Sequence, residues 1–227
     1  MKILTPIFDF FLPRLCPSCK NKLTPLESVA CVSCLSKIEQ ADPERIANEY
    51  IRKFLNDKII AGFASLFIFE KDKEIQHLIH GLKYEGKFQI GLFLGELTAI
   101  GLREEIEKWK IDFIVPVPLH HLKRAERGFN QSDYIAGGMK KILNIPVKSN
   151  YIKRCRFTET QTNLTLLERA ANIEGAFRVK KRKIIKGKRI LIVDDVITTG
   201  ATVSECGKAL TKNGAAKVYA VSVAIAE

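Results

Sequence analysis

Two neighbouring aspartates, Asp194 and Asp195, close an apolar run and lead into a hydroxyl-rich loop; Ile190 to Val203 reads ILIVDDVITTGATV. Adjacent carboxylates repel each other in a buried setting, so such a pair is costly unless something uses it. A diol such as a ribose would use it, and so would Mg²⁺. Beyond the pair, Thr198, Thr199 and Thr202 supply hydroxyl donors, and Gly200 lets the backbone approach a ligand closely. If RILIV is a strand ending at the diacid and a helix follows, the loop N–H groups and the helix N-terminus form an anion site. The pattern suits a sugar phosphate, with threonines and N–H groups for the phosphate and aspartates for the sugar.

A second constellation lies near the start. Cys16 and Cys19 form CPSC, Cys31 and Cys34 form CVSC, and the whole is C-x2-C-x11-C-x2-C. Each CxxC turn aims two thiolates at one point, and two turns complete a tetrahedral Zn²⁺ site. The spacer is shorter than in the usual four-cysteine ribbon, so the loop is tight. Four thiolates leave no open coordination position, which makes the expected zinc structural. Cys155 and Cys206 stand alone and are expected to be packing residues.

The elements that must position these groups can be read from periodicity. The chain has 227 residues, 46% of them hydrophobic, enough for one main domain with a small appendage. Residues 1–41 are expected to form the zinc-binding module. Asp42 as N-cap and Pro43 at the first helical position then open a helical connector, DPERIANEYIRKFLNDK. Residues 42–227 read as an α/β domain, with 61–110 as a hood over the site. AGFASLFIFE, IDFIVPVPL, KRILIVDDV and KVYAVSVAIA read as strands, and PVKSNYIKR is a strand candidate. KEIQHLIHGLKY, GLFLGELTAIGLREEIEKW, NQSDYIAGGMKKIL and TVSECGKALTKNG carry helical periodicity, the last ending at Gly214. Alternating strands and helices argue for a mostly parallel sheet flanked by helices, with ligands beyond the carboxyl ends of its strands.

No stretch reads as a membrane span, and Pro6, Asp9 and Pro13 interrupt the apolar N-terminus, so it is not read as a signal peptide. The expected compartment is cytoplasmic, where paired cysteines point to metal rather than disulfide. A net charge of +12 suits polyanionic partners without choosing among them. Gly81 to Lys87 nearly matches a phosphate-binding G-x-x-x-x-G-K loop, but Phe88 stands where Ser or Thr would hold Mg²⁺, which argues against ATP there. Lys83 within it faces either the substrate or the core edge. His77 and His80 read as surface or core-edge residues, and His120 and His121 as weak contact candidates. Asn130 is either an N-cap or a ligand contact.

The loop Ile190–Val203 closely resembles the signature of type I phosphoribosyltransferases, which bind 5-phosphoribosyl 1-pyrophosphate. That resemblance implies Asp194 and Asp195 on the ribose hydroxyls. It implies Ile197, Thr198, Thr199, Gly200, Ala201 and Thr202 around the 5′-phosphate. Across nearly the whole chain the sequence further resembles the ComF family, phosphoribosyltransferase-like proteins linked with DNA uptake in natural competence. The stretches that carry this are LCPSC…CVSC, LIHGLKYEGK, VPVPLHHLKRAERGFNQS and IKRCRFTETQTNLTLLERAANIEGAF. Lys123, Arg124 and Arg127 then fit a pyrophosphate-contacting loop. RCRFTETQTNLTLLERAAN corresponds to a mobile loop that closes over the site, with Arg154 and Arg156 as cations for the leaving pyrophosphate and Thr158 and Gln161 as polar contacts.

Two functions remain open at this level. One is an Mg²⁺-dependent phosphoribosyl transfer to an acceptor the sequence does not reveal. The other is a non-catalytic adaptor of DNA uptake that binds single-stranded DNA, works with other uptake proteins, and senses phosphoribosyl pyrophosphate. The basic run from Arg178 to Arg189 could track a phosphate backbone, but it holds no aromatic residue to stack on a base.

Overall fold

The computed structural model describes residues 13–156 and 174–226. A short helix α1 (Val32–Leu35) carries the second cysteine pair. Helix α2 (Pro43–Tyr50) follows, and runs on into a π-helical turn, Ile51–Leu55. Asp42 caps it as expected, its Oδ1 accepting from the Arg45 N–H at 2.7 Å. Then come β1 (Ile60–Ile68), α3 (Glu74–Tyr84), α4 (Phe88–Gly101), α5 (Arg103–Trp109), β2 (Phe113–Pro116), α6 (His121–Arg127) and α7 (Gln131–Leu143). The chain continues through β3 (Ile152–Arg154), β4 (Phe177–Val179), α8 (Arg182–Ile185), β5 (Arg189–Ile197), α9 (Ala201–Lys212) and β6 (Lys217–Ile225).

The main sheet has the order β1-β6-β5-β2, and every pairing is parallel. Strand β5 is central: Ile190 lies opposite Phe113 on one side and Val218 on the other. A sheet covered on both faces needs apolar side chains at successive positions, which is why RILIV reads as an unbroken run. Alternate residues serve different layers. Leu191 and Val193 join a core with α3, α4 and α7, whereas Ile190 and Ile192 join one with α9 and the β3–β4 pair. Each fully buried Ile or Leu of this kind contributes about 1.5–3 kcal/mol.

Strand β5 carries both aspartates, as the strand KRILIVDDV implies, and ends at Ile197, with Asp194 in register with Ser222 of β6. Several expectations need correction. The strand candidate PVKSNYIKR is split: Val147 forms a parallel bridge to Ile114 of β2, and Ile152–Arg154 forms β3, which pairs antiparallel with β4. The long periodic stretch before Trp109 is two helices, broken at Leu102. Helix α9 stops at Lys212, two residues before Gly214, whose φ of +89° marks the turn into β6. Cys206 is buried as expected, but Cys155 is exposed.

Helices α4 and α7 touch backbone to backbone. A Cβ on Gly95 would lie 2.0 Å from the Ile135 carbonyl oxygen, and one on Gly138 would lie 2.0 Å from that of Leu92. This contact seats α7, whose first turn reaches the diacid. The cysteine segment is not set apart. Cys16, Leu23, Cys31 and Cys34 belong to the same buried cluster as Ile75, Leu78 and Leu82 of α3. Ser18 Oγ and His77 Nδ1, 3.3 Å apart, add a polar tie between that segment and α3.

Candidate functional site

Asp194 and Asp195 are both buried, at 9% and 3% exposure, near the carboxyl end of the central strand. Three elements converge on them. Ser132, in the first turn of α7, donates from Oγ to Asp194 Oδ1 at 2.9 Å. The Asp195 backbone N–H donates to the same oxygen at 2.9 Å. Lys83, near the end of α3, brings Nζ to 2.5 Å from Asp195 Oδ2. The lysine that the sequence left between substrate and core edge therefore meets the diacid directly.

The two carboxyls are electrostatically unequal. Burial, then the neighbouring Asp195 charge, pushes the Asp194 carboxyl up to about 8. Burial also pushes Asp195 upward, but the Lys83 ammonium outweighs it and holds that carboxyl below its usual range. Burial lowers Lys83, yet the Asp195 charge wins there too and its pKa rises. One member of the pair is thus the charged acceptor and the other the proton-holding one.

The phosphate-loop candidate follows at once. Ile197 is buried, Thr198 exposed, and Thr199, Ala201 and Thr202 half-buried. Gly200 sits at the N-cap of α9 with φ +78°, where an L side chain would be strained. The Ala201 N–H donates to Thr199 Oγ1 at 3.3 Å, and the N–H groups of Thr202 and Val203 have no intrahelical acceptor and are available to an anion.

The predicted cations divide between two clefts. Lys123, Arg124 and Arg127 lie on the short helix α6 rather than in an open loop. Lys123 and Arg127 line a cleft of about 330 Å³ with Lys83, Tyr84, Gly86 and Glu126, the Arg127 guanidinium lying 5.3 Å from the centre of the Tyr84 ring. Arg124 faces a second cleft of about 390 Å³ shared with Arg154, His121 and Lys180. Arg154 is half-buried, 5.6 Å from the Phe177 ring centre, and burial holds its guanidinium below its usual range. Arg156 is exposed. Thr158 and Gln161 lie outside the described residues. Asn130 occupies the N-cap position of α7, but its side chain makes no helix-cap bond; Nδ2 instead donates to the Val117 carbonyl at 3.0 Å, tying α7 to the end of β2. His120 caps α6 through Nδ1 on the Leu122 N–H, while His77 and His80 are exposed as expected.

Ser132 was missed. It had a signal, as the third residue of NQSD opening the helix after VPVP.

The four cysteine sulfurs lie within 4.8 Å of one another. A tetrahedron with Zn–S bonds of about 2.3 Å has S···S edges of about 3.8 Å, and Cys19 Sγ lies 3.7 Å from Cys31 Sγ. Burial pushes the Cys34 thiol up to about 12. A bound cation would remove that penalty, because a coordinated thiol is deprotonated outright.

Comparison with known proteins agrees with this arrangement. The profile of the phosphoribosyl transferase domain matches residues 131–226. The chain is 34% identical over 145 residues to Competence protein F of Haemophilus influenzae, covering 62% of this chain and 63% of that protein. It is 37% identical over 144 residues to the DNA utilization protein YhgH of Escherichia coli, again covering 62% and 63%. It is 30% identical over 162 residues to Competence protein ComFC of Streptococcus pneumoniae, covering 71% and 68%. The chain thus spans 63% of the length of the first of these relatives. Among solved structures, the purine phosphoribosyltransferase of Pyrococcus horikoshii aligns at 22% identity and a TM-score of 0.38, covering 59% of this chain and 74% of that one. With its four-cysteine start and its phosphoribosyltransferase-type domain, the chain belongs to the ComF family of phosphoribosyltransferase-like proteins.

Proposed function

We propose that the protein binds 5-phosphoribosyl 1-pyrophosphate with Mg²⁺ and transfers the phosphoribosyl group to an acceptor, releasing pyrophosphate. The observation that carries this reading is a buried diacid leading straight into a helix N-terminus at the end of the central strand. In the reaction the C1–O bond to pyrophosphate breaks, the acceptor bonds to C1, and the acceptor proton passes to solvent. Asp194 and Asp195 accept hydrogen bonds from the ribose hydroxyls, and Ser132 keeps Asp194 oriented. Lys83 must share Asp195 with the sugar, which places its ammonium at the reacting end of the ligand. Residues 197–202 bind the 5′-phosphate. Lys123 and Arg127 face the pyrophosphate, and Arg154 and Arg156 add positive charge.

The site suits Mg²⁺: adjacent hard carboxylates, one of them raised by charge crowding, are oxygen donors a cation would relieve. When bound, Mg²⁺ supplies charge neutralisation on the leaving pyrophosphate. Cys16, Cys19, Cys31 and Cys34 would hold a structural Zn²⁺. Relatives named for competence and DNA utilization support a role in DNA uptake; single-stranded DNA and other uptake proteins are its proposed partners, and the cytoplasm its proposed compartment. No helix among the described residues is long and apolar enough to cross a membrane.

A second reading, the non-catalytic adaptor, is favoured by the basic run from Arg178 to Arg189, most of whose cations are exposed. Two assays separate the readings. Incubation with phosphoribosyl pyrophosphate, Mg²⁺ and candidate acceptors releases pyrophosphate if the chain is a transferase, and Asp195→Asn abolishes that release. A steep loss of single-stranded DNA affinity with salt, with no pyrophosphate released, identifies the adaptor.

A further inference from the structure

The connector between the cysteine segment and the main domain runs directly behind the loop that follows the diacid. Its π-helical turn Ile51–Leu55 carries Lys53, whose side chain is only 4% exposed. An isolated buried ammonium is costly, and it persists only where acceptors surround it. Lys53 has three, on three different segments. Its Nζ lies 3.1 Å from Glu49 Oε2 on α2. It donates to the Ala226 carbonyl beyond β6 at 3.1 Å, and to the Thr198 carbonyl. Glu49 is itself buried and also held by Arg45 and Arg52, so the carboxylate that orients Lys53 is fixed. The next residue, Phe54, is fully buried, and its ring would lie 2.8 Å from a Cβ on Gly200. The turn therefore presses on the back of the loop at both Thr198 and Gly200.

The geometry of the peptide unit gives this contact a consequence. In a trans peptide the C=O of one residue and the N–H of the next point in opposite directions. Holding the Thr198 carbonyl toward the connector turns the Thr199 N–H to the opposite, ligand side. The same lysine ties the loop to the chain leaving β6, so the ends of two adjacent strands are fixed relative to each other.

We propose that Lys53 is a positioning residue of the phosphate site: fixed by Glu49, it holds the Thr198 carbonyl backward so that the loop N–H groups face an incoming phosphate. The proposal rests on the reading of residues 197–202 as that site. It makes the connector a working part of the site and not merely a link between modules.

The test uses the full chain with ribose 5-phosphate as probe, read by calorimetry, together with amide hydrogen exchange of Ser204 and Ala226 in the ligand-free protein, whose N–H groups donate to the Gly200 and Ile197 carbonyls at 2.9 Å each. Lys53→Met should weaken ribose 5-phosphate binding about tenfold, the scale of one lost charge-assisted hydrogen bond, and speed exchange at Ser204 and Ala226. Lys53→Gln, which keeps a neutral donor, should lie between it and the wild type, and it serves in place of Lys53→Met if that variant does not fold. Tyr50→Phe is the control. It removes a 2.8 Å bond from the same connector to the Ile60 carbonyl, away from the loop. It should lower the melting temperature without weakening the probe. Wild-type affinity and exchange in a folded Lys53→Met overturn the proposal alone. Failure of the wild-type protein to bind ribose 5-phosphate overturns the phosphate-site reading and this proposal with it.

Discussion

Asp194 shows how one residue records both burial and charge crowding. Its carboxyl is pushed up to about 8, whereas an unfolded aspartate titrates at about 3.9. Between those values the folded chain holds a proton that the unfolded chain has lost. The free energy of unfolding therefore falls as pH rises through that window and levels off above it. Thermal unfolding followed from about pH 5 to about pH 9 should show this decline, and Asp194→Asn should flatten it. Lys83 has the complementary role. Lys83→Met leaves Asp195 buried and unpaired, and it should cost about 2 kcal/mol, less than a fully buried pair because Lys83 keeps some solvent contact. Chemical denaturation measures that loss, and a double variant that also carries Asp195→Asn should recover much of it. The diacid was legible in the sequence because adjacent acids after an apolar run are conspicuous. The role of Lys83 was not, because its partner lies on a strand far along the chain.

At the scale of elements, legibility followed the completeness of burial. Strands β1, β5 and β6 are covered on both faces, so their sequences are continuous apolar runs that periodicity identifies. Helix α6 was hidden because none of its residues is buried and it has no apolar face to read. The break at Leu102 was hidden because apolar spacing continues through it. The α4–α7 contact was equally silent, since a glycine in a helical pattern does not announce what touches it. It yields a prediction: Gly138→Ala puts a methyl group against the Leu92 carbonyl and should destabilise the chain by about 1–3 kcal/mol. The same change tilts α7, so it should loosen the Ser132–Asp194 bond, measurable as faster hydrogen exchange in the first turn of α7. Unchanged stability would mean that the helices separate at no cost.

Across the whole molecule, the cysteine segment and the α/β domain share one buried core. Three of the four cysteines lie in the core cluster that includes α3, and α3 delivers Lys83 to the diacid. Convergence of the four cysteines was legible from their spacing, but this shared core was not, because spacing predicts ligand convergence and says nothing of what packs around it. Removing bound metal with a chelator should therefore shift a single unfolding transition to lower temperature. Two separate transitions would show an independent module. The central claim, that the diacid and the loop after it form a sugar-phosphate site, is tested most directly by calorimetric titration of 5-phosphoribosyl 1-pyrophosphate with Mg²⁺ into the wild-type protein and into the Asp194→Asn/Asp195→Asn double variant. The account predicts saturable one-to-one binding that the folded double variant loses. Equal affinity in both, or no binding by the folded wild type, would contradict it.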